Sequence, residues 1–328
     1  MARREPGGAV PHHLPAQLGR ARPLQPDRLR TATALGLGAM ACWGAAYVPS
    51  AWLVETWPPL LAAGTRLGLG GVLVLGVLAA SGRPLRPGVG VGAVAWLALT
   101  QTVLFYGATF WGIAHAGAGL SAVLANTDPL FVAGLAAVVL GERLRGVQWA
   151  GLGVGLVGAA VVVWEGPLWP PELSGAALVV VGGALAWGVG TVVVARGVRG
   201  TGDPLALAGW QMLAGGAALC LVGLVAERTP TAAGIREIGL VVLLAAVGSA
   251  VPFALFYIAL TQAPAAEISA WFFLVPVIGV LTAWPLLGER PGIRLVVGLC
   301  GVCAGLWLVM GTRRDPAQRR LVDSAPPP

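Results

Sequence analysis

"PLFVAGLAAVVLGERLRG", Pro129 to Gly146, has a counterpart in the same chain: "PVIGVLTAWPLLGERPGI", Pro276 to Ile293. A shift of 147 places Pro129 on Pro276, Ala118 on Ala265 and Gly151 on Gly298. It also places Leu140-Gly141-Glu142-Arg143 on Leu287-Gly288-Glu289-Arg290. Trp43-Gly44 is answered by Trp187-Gly188, and "PLLAAGTRLGLGG" from Pro59 by "PLALAGWQMLAGG" from Pro204 at a shift of 145. The chain reads as one unit written twice.

The unit belongs in a bilayer. Of 328 residues, 57% are hydrophobic and 11% charged, against about 25% charged in a soluble domain. Ten segments approach the ~20 apolar residues that a spanning helix needs: 33–54, 58–80, 91–113, 118–140, 146–164, 175–195, 204–226, 238–261, 265–287 and 292–311. The expected fold is an all-α integral membrane protein of ten transmembrane helices in two five-helix repeats. The expected division is a disordered cytoplasmic tail at 1–32, a first repeat at 33–164, an external linker at 165–174, a second repeat at 175–311 and a cytoplasmic tail at 312–328. Arg3-Arg4 resembles a twin-arginine signal, but the first apolar run is long enough to span, so an uncleaved first helix is expected.

All the basic residues are arginine, and their placement sets the orientation. With both termini cytoplasmic, sixteen of the 21 arginines lie inside, four outside (Arg228, Arg236, Arg290, Arg294), and Arg66 lies within a span. Five helices per unit is an odd number, so the second copy enters the membrane from the opposite side, an inverted-topology repeat. Such repeats place the site near the midplane between the halves, and this symmetry points to transport. The net charge of +7 forms no basic stripe interleaved with aromatics, which excludes nucleic acid as a partner.

The paired Trp-Gly motifs, the Pro in each fourth helix and the LGER closing it make the chain resemble the EamA-type branch of the drug/metabolite transporter superfamily, over residues from about 33 to 311. The resemblance implies export or exchange of small polar metabolites such as amino acids, driven by an ion gradient or by counter-exchange. It also implies that the first four helices of each repeat line the cavity while the fifth and tenth pack peripherally. A multidrug efflux pump of the same superfamily is the alternative. An intramembrane enzyme is the reading from another class, and the chain has neither HExxH, nor GxSxG, nor paired membrane acids to support it. No enzyme activity, cofactor or metal is expected. The expected partners are a small-molecule substrate, the lipid bilayer and protons, with a homodimer left open. The expected location is the cell (inner) membrane.

Asp128 and Arg66 are the clearest ionisable residues away from the span ends, and such residues are functional candidates by default. Counting from the ends that enter from outside, Arg66 lies roughly 12 Å deep and Asp128 roughly 14 Å. The two are expected to meet near mid-bilayer, as a substrate or proton site or as a static ion pair. The second half carries Gln211 and Val275 at the corresponding positions, so the charge sits in the first repeat. Pro129 and Pro276 lack the N–H that a helix needs, so each breaks its helix and frees a carbonyl, which is tolerated facing a cavity. Asn126, Thr127 and Asp128 bracket the first break. Gln101, Gln211, Trp43, Tyr47, Tyr106, Trp187, Trp210, Tyr257 and Trp271 complete the candidate substrate- or ion-binding set, with interface belts as the competing reading for the aromatics. Glu142 and Glu289 are expected to order the turns before the fifth and tenth helices. "CGVC", Cys300 to Cys303, sits in an apolar run and reads as small core residues. Gly151/Gly155 and Gly301/Gly305 read as GxxxG packing faces.

Overall fold

The computed structural model describes residues 26–139, 144–165, 172–197, 203–227, 234–262 and 270–311. Glu142 and the first LGER turn lie outside the described residues. The described chain is a bundle of apolar helices. Seven are long and apolar enough to cross a membrane: α1 (Arg30–Val54), α2 (Pro59–Ala80), α3 (Val91–Ala116), α4 (Ala118–Val139), α6 (Gly175–Val193), α7 (Pro204–Ala226) and α8 (Ile235–Phe256). Three shorter apolar helices lie among them: α5 (Gly146–Val162), α9 (Leu274–Leu287) and α10 (Ile293–Val309). The linker expected at 165–174 is entered and left through a two-residue antiparallel ladder, Trp164 opposite Leu173 and Glu165 opposite Glu172.

Glycine decides which helices touch. Within a bilayer apolar side chains gain little by leaving lipid, so helices associate where small residues let backbones approach. A Cβ on Gly305 would lie 2.5 Å from Gly155 Cα, and one on Gly158 would lie 2.7 Å from the Val302 nitrogen. The expected GxxxG faces of α5 and α10 therefore meet. Likewise, a Cβ on Gly64 would lie 2.7 Å from the Cys220 nitrogen and one on Gly71 2.6 Å from that of Leu213, which locks α2 to α7. In both pairs rising numbers on one helix meet falling numbers on the other, so these equivalent helices of the two halves run antiparallel.

The two Trp-Gly motifs work across the halves. A Cβ on Gly44 of α1 would press on the Ile278 Cβ of α9 at 2.7 Å, and one on Gly188 of α6 on the Phe131 Cβ of α4 at 2.9 Å. Ile278 and Phe131 are themselves 147 residues apart, so the repeat in the sequence is a repeat in the packing.

Irregular turns in the helices build the site. Helix α4 stops after Ala125 and restarts at Asp128, because Pro129 cannot continue the ladder. Asn126 Nδ2 takes up the Ala122 carbonyl at 2.7 Å, and the Thr127 hydroxyl takes that of Leu124 at 2.7 Å. Helix α9 begins after a tight turn at Ala270–Phe273, which leaves Pro276 in the first α turn, where the missing N–H costs nothing. Helices α3 and α8 each contain a π-helical segment, Ala98–Leu104 and Ala246–Ala250, at matching positions of the repeat. Such bulges collect at functional sites.

Candidate functional site

A cavity of about 410 Å³ lies between the halves, lined from α1, α2, α3 and α4 of the first and α6, α7, α8 and α9 of the second. Val309 of α10 also reaches it. Its size is within the range of small-molecule sites.

Arg66 enters from α2 and is 4% exposed. Its guanidinium is fixed by neutral acceptors. Nε donates to Ser249 Oγ at 3.0 Å, Nη1 to Ser50 Oγ at 3.4 Å, and Nη2 to the Gly248 carbonyl at 2.7 Å. That carbonyl is free for a reason legible in the chain: its α-helical donor would be residue 252, which is Pro252 and has no N–H. Gly248 and Ser249 both lie within the π-helical segment Ala246–Ala250, and both meet Arg66 of α2. The rings of Tyr106 and Phe110 lie 5.5 and 5.4 Å from the guanidinium carbon, within cation–π range. Three of the five guanidinium N–H groups are thus held by these neutral acceptors, and the positive charge is not neutralised by them.

Asp128 opens the second segment of α4 and is 8% exposed. The break at Pro129 places its carboxylate at a helix N-terminus, where the dipole complements negative charge. The expected meeting of Arg66 and Asp128 is not a salt bridge. Among the described residues the ion pairs are Arg83–Asp203 at 2.6 Å and Arg236–Glu55 at 3.5 Å. Both buried charges line the cavity; neither cancels the other.

Other predicted residues converge on the same space: Trp43, Tyr47, Gln101, Tyr106, Asn126, Pro129, Trp187 and Gln211. Tyr47 accepts from Asn126 Nδ2 at 3.2 Å, and Gln101 Nε2 donates to Thr191 Oγ1 at 2.8 Å. Trp43 packs against Phe253, Phe256 and Phe272 at centroid distances of 5.4, 5.7 and 5.9 Å, and Trp187 lies 4.8 Å from Phe105. The cavity therefore has an aromatic wall as well as a set of polar and charged groups.

Several expected residues are elsewhere. Trp210 is 38% exposed and donates to the Leu85 carbonyl at 2.8 Å. It precedes Gln211, and at 3.6 residues per turn adjacent residues do not share a face. Thr127 is fully buried, its hydroxyl spent on the helix break. Trp271 packs against a cluster containing Met40 and Val275, and Pro276 is buried. The Tyr257 side chain lies outside the described residues. Glu289, in the turn before α10, reaches the other half and accepts from the backbone of Ala118 and Gly119 at 2.7 and 2.8 Å. The cysteines of CGVC sit on α10, with Cys300 on its exposed side.

Sequence reading missed Ser50, Thr109, Thr191, Phe253, Phe256 and Phe272, all cavity residues. Helical spacing holds the signal for three of them: Ser50 follows Tyr47 by three, Thr109 follows Tyr106 by three, and Thr191 follows Trp187 by four, which are same-face intervals.

Comparison with known proteins agrees with this architecture. The sequence model described as the EamA-like transporter family matches residues 30–164 and 174–311. A WAT1-related chloroplastic protein of Arabidopsis thaliana is 26% identical over 286 residues, covering 81% of this chain and 66% of that protein. An uncharacterized transporter of Synechocystis is 27% identical, covering 81% and 86% respectively. The Escherichia coli protein YedA, described as an uncharacterized inner membrane transporter, is 27% identical, covering 75% and 80%. The crystal structure of another protein matches in fold, with a TM-score of 0.61 and 22% identity, covering 87% of this chain and 99% of that one.

Proposed function

The chain belongs to the EamA-like transporter family, and from that premise we propose that it is a secondary active transporter that exports or exchanges small polar metabolites of the amino-acid type by alternating access. One observation carries the reading: Arg66 and Asp128, buried and opposite in charge, line one cavity without pairing with each other. A zwitterion satisfies both, its carboxylate on the spare N–H groups of Arg66 and its ammonium on Asp128. Buried charges left without such partners are costly, so the pair favours a ligand that brings both signs. Asp128 also serves as the proton carrier, loaded from one side and emptied to the other as the cavity changes its opening.

In this reading the three shorter apolar helices span as well, giving ten spans. The units are 33–164 and 175–311, related by an axis in the membrane plane. The antiparallel packing of α2 with α7 and of α5 with α10 supports the inversion, and the arginine distribution supports cytoplasmic termini in the cell membrane. Impermeant thiol labelling of intact cells tests the orientation in a background lacking Cys42, Cys220, Cys300 and Cys303. Glu55→Cys is expected to react and Ser81→Cys to be protected; the opposite pattern overturns the orientation.

The substrate reading is tested by flux from proteoliposomes containing the purified protein. Labelled amino acids are expected to leave faster than from protein-free vesicles and faster still when an inward proton gradient is imposed. The second reading, efflux of lipophilic cations, draws on Asp128 beside the aromatic wall of Trp43, Phe253, Phe256 and Phe272. The buried charge of Arg66 opposes it. Flux of a lipophilic cation without flux of any amino acid would replace the first reading with the second.

A further inference from the structure

We propose that Glu289 is the latch of a gate that closes the cavity at the end of the bundle bearing Glu55. The inference rests on the alternating-access reading, and it starts from what lies between the cavity and that end. Ile113 lines the cavity and is buried; it forms a cluster with Ala118 and Ala283. Tyr47, Val54 and Leu287 pack around that cluster. The plug thus draws on α1, α3, α4 and α9, of which α4 is interrupted beside the cavity and α9 begins there. On top of it sits one carboxylate. Glu289 accepts from Ala118 N at 2.7 Å through Oε1 and from Gly119 N at 2.8 Å through Oε2. These are the first free donors of α4, at the end of the helix where the dipole favours an anion.

The sequence around the contact is fitted to it. Gly117 turns the chain at φ +89°, a conformation that side chains resist, and a Cβ there would stand 2.9 Å from Glu289 Oε1. A Cβ on Gly119 would stand 3.1 Å from Oε2. Glu289 belongs to the turn before α10, in the second half, whereas α4 belongs to the first. Opening this end of the cavity requires α4 and α9 to separate, and the contact breaks when they do.

A second cross-half carboxylate separates a latch from a staple. Glu227 accepts from Leu60 N at 3.0 Å and from Leu61 N at 3.1 Å, the first donors after Pro58-Pro59. It joins α2 to α7, whose glycine-lined faces meet along their length, so it holds a joint that stays closed.

The experiment reads the reactivity of Ile113→Cys in the background without native cysteines. An impermeant maleimide is applied from the side that labels Glu55→Cys. Glu289→Gln removes the negative charge and one acceptor from the contact, and is expected to raise the labelling rate about tenfold. Gly119→Ala keeps every charge and crowds Oε2, and is expected to raise the rate as well; it decides the question alone if Glu289→Gln does not fold. Glu227→Gln is expected to leave the rate unchanged. An unchanged rate in a folded Glu289→Gln or Gly119→Ala, or an equal rise in Glu227→Gln, overturns the latch. Thiol reactivity needs no substrate, so the gate can fail while amino-acid transport stands, and the reverse.

Discussion

Asp128→Asn is expected to insert and fold, to lose transport driven by a pH gradient, and to retain counter-exchange of substrate at equal pH. The substitution keeps the volume and hydrogen-bonding reach of the side chain and removes its ability to carry a proton. Asp128 makes no ion pair with Arg66, so neutralising it strands no partner. The helix break survives because it is made by Pro129 and sealed by the side chains of Asn126 and Thr127. Counter-exchange requires only that the loaded cavity change its opening, which Asn permits. Coupled transport requires a group that titrates during the cycle, which Asn does not supply. The predicted signature is a flat response to an imposed gradient, with exchange reduced several-fold by the lost contact to the ammonium, worth about 1 kcal/mol. Accumulation at the wild-type level in proteoliposomes would reduce Asp128 to a structural residue.

Arg66→Met is expected to have the larger effect on substrate affinity. Methionine fills much of the aliphatic volume and leaves no donor. Charge-assisted hydrogen bonds contribute about 1.5–3 kcal/mol each, so losing the carboxylate contact is expected to weaken binding roughly 10- to 100-fold. Stability falls too, because the Gly248 carbonyl and the Ser249 hydroxyl lose the donor that satisfied them. Arg66→Lys separates the two effects: it restores the charge but cannot reach three acceptors in one plane. Lys is expected to recover part of the affinity and little of the thermal stability, as read by ligand-dependent unfolding in detergent. Wild-type affinity in Arg66→Met would remove Arg66 from the binding site.

The duplication is legible in the sequence because the repeat is written in residues whose role is local: prolines that interrupt helices, glycines that admit a neighbouring backbone, and the LGER turn. Gly44 and Gly188 pair by their Trp-Gly motifs alone, and they pack on Ile278 and Phe131 as equivalents. The site is legible where a residue's chemistry is conspicuous against lipid, as with Asp128, Arg66, Gln101 and Gln211. It is hidden where function depends on a partner far along the chain. Similar depths of Arg66 and Asp128 suggest a pair, but depth carries no azimuth. The guanidinium instead turns to a carbonyl 182 residues away that Pro252 deprives of its helical donor. That carbonyl lies in a π-helical segment, which no local pattern announces. Glu289 reads as a residue of its own turn because sequence neighbours are visible and the N-terminus of α4, 170 residues distant, is not. Phe253, Phe256 and Phe272 escape notice because phenylalanine in a membrane helix is ordinary until a cavity gives it a wall to form.

The central claim is that one cavity holds both charges of a zwitterion through Arg66 and Asp128. Its most direct test is competition by three probes that share an aromatic body suited to the wall: phenylalanine, its amide without the carboxylate, and 3-phenylpropionate without the ammonium. Each is measured against labelled phenylalanine counterflow in proteoliposomes carrying wild type, Arg66→Met or Asp128→Asn. The predicted result is that wild type prefers the amino acid over both trimmed probes. Arg66→Met should lose the preference over the amide, and Asp128→Asn the preference over the acid. Preferences that stay unchanged in both variants, or an absence of phenylalanine competition in a wild type that transports another solute, would contradict the account.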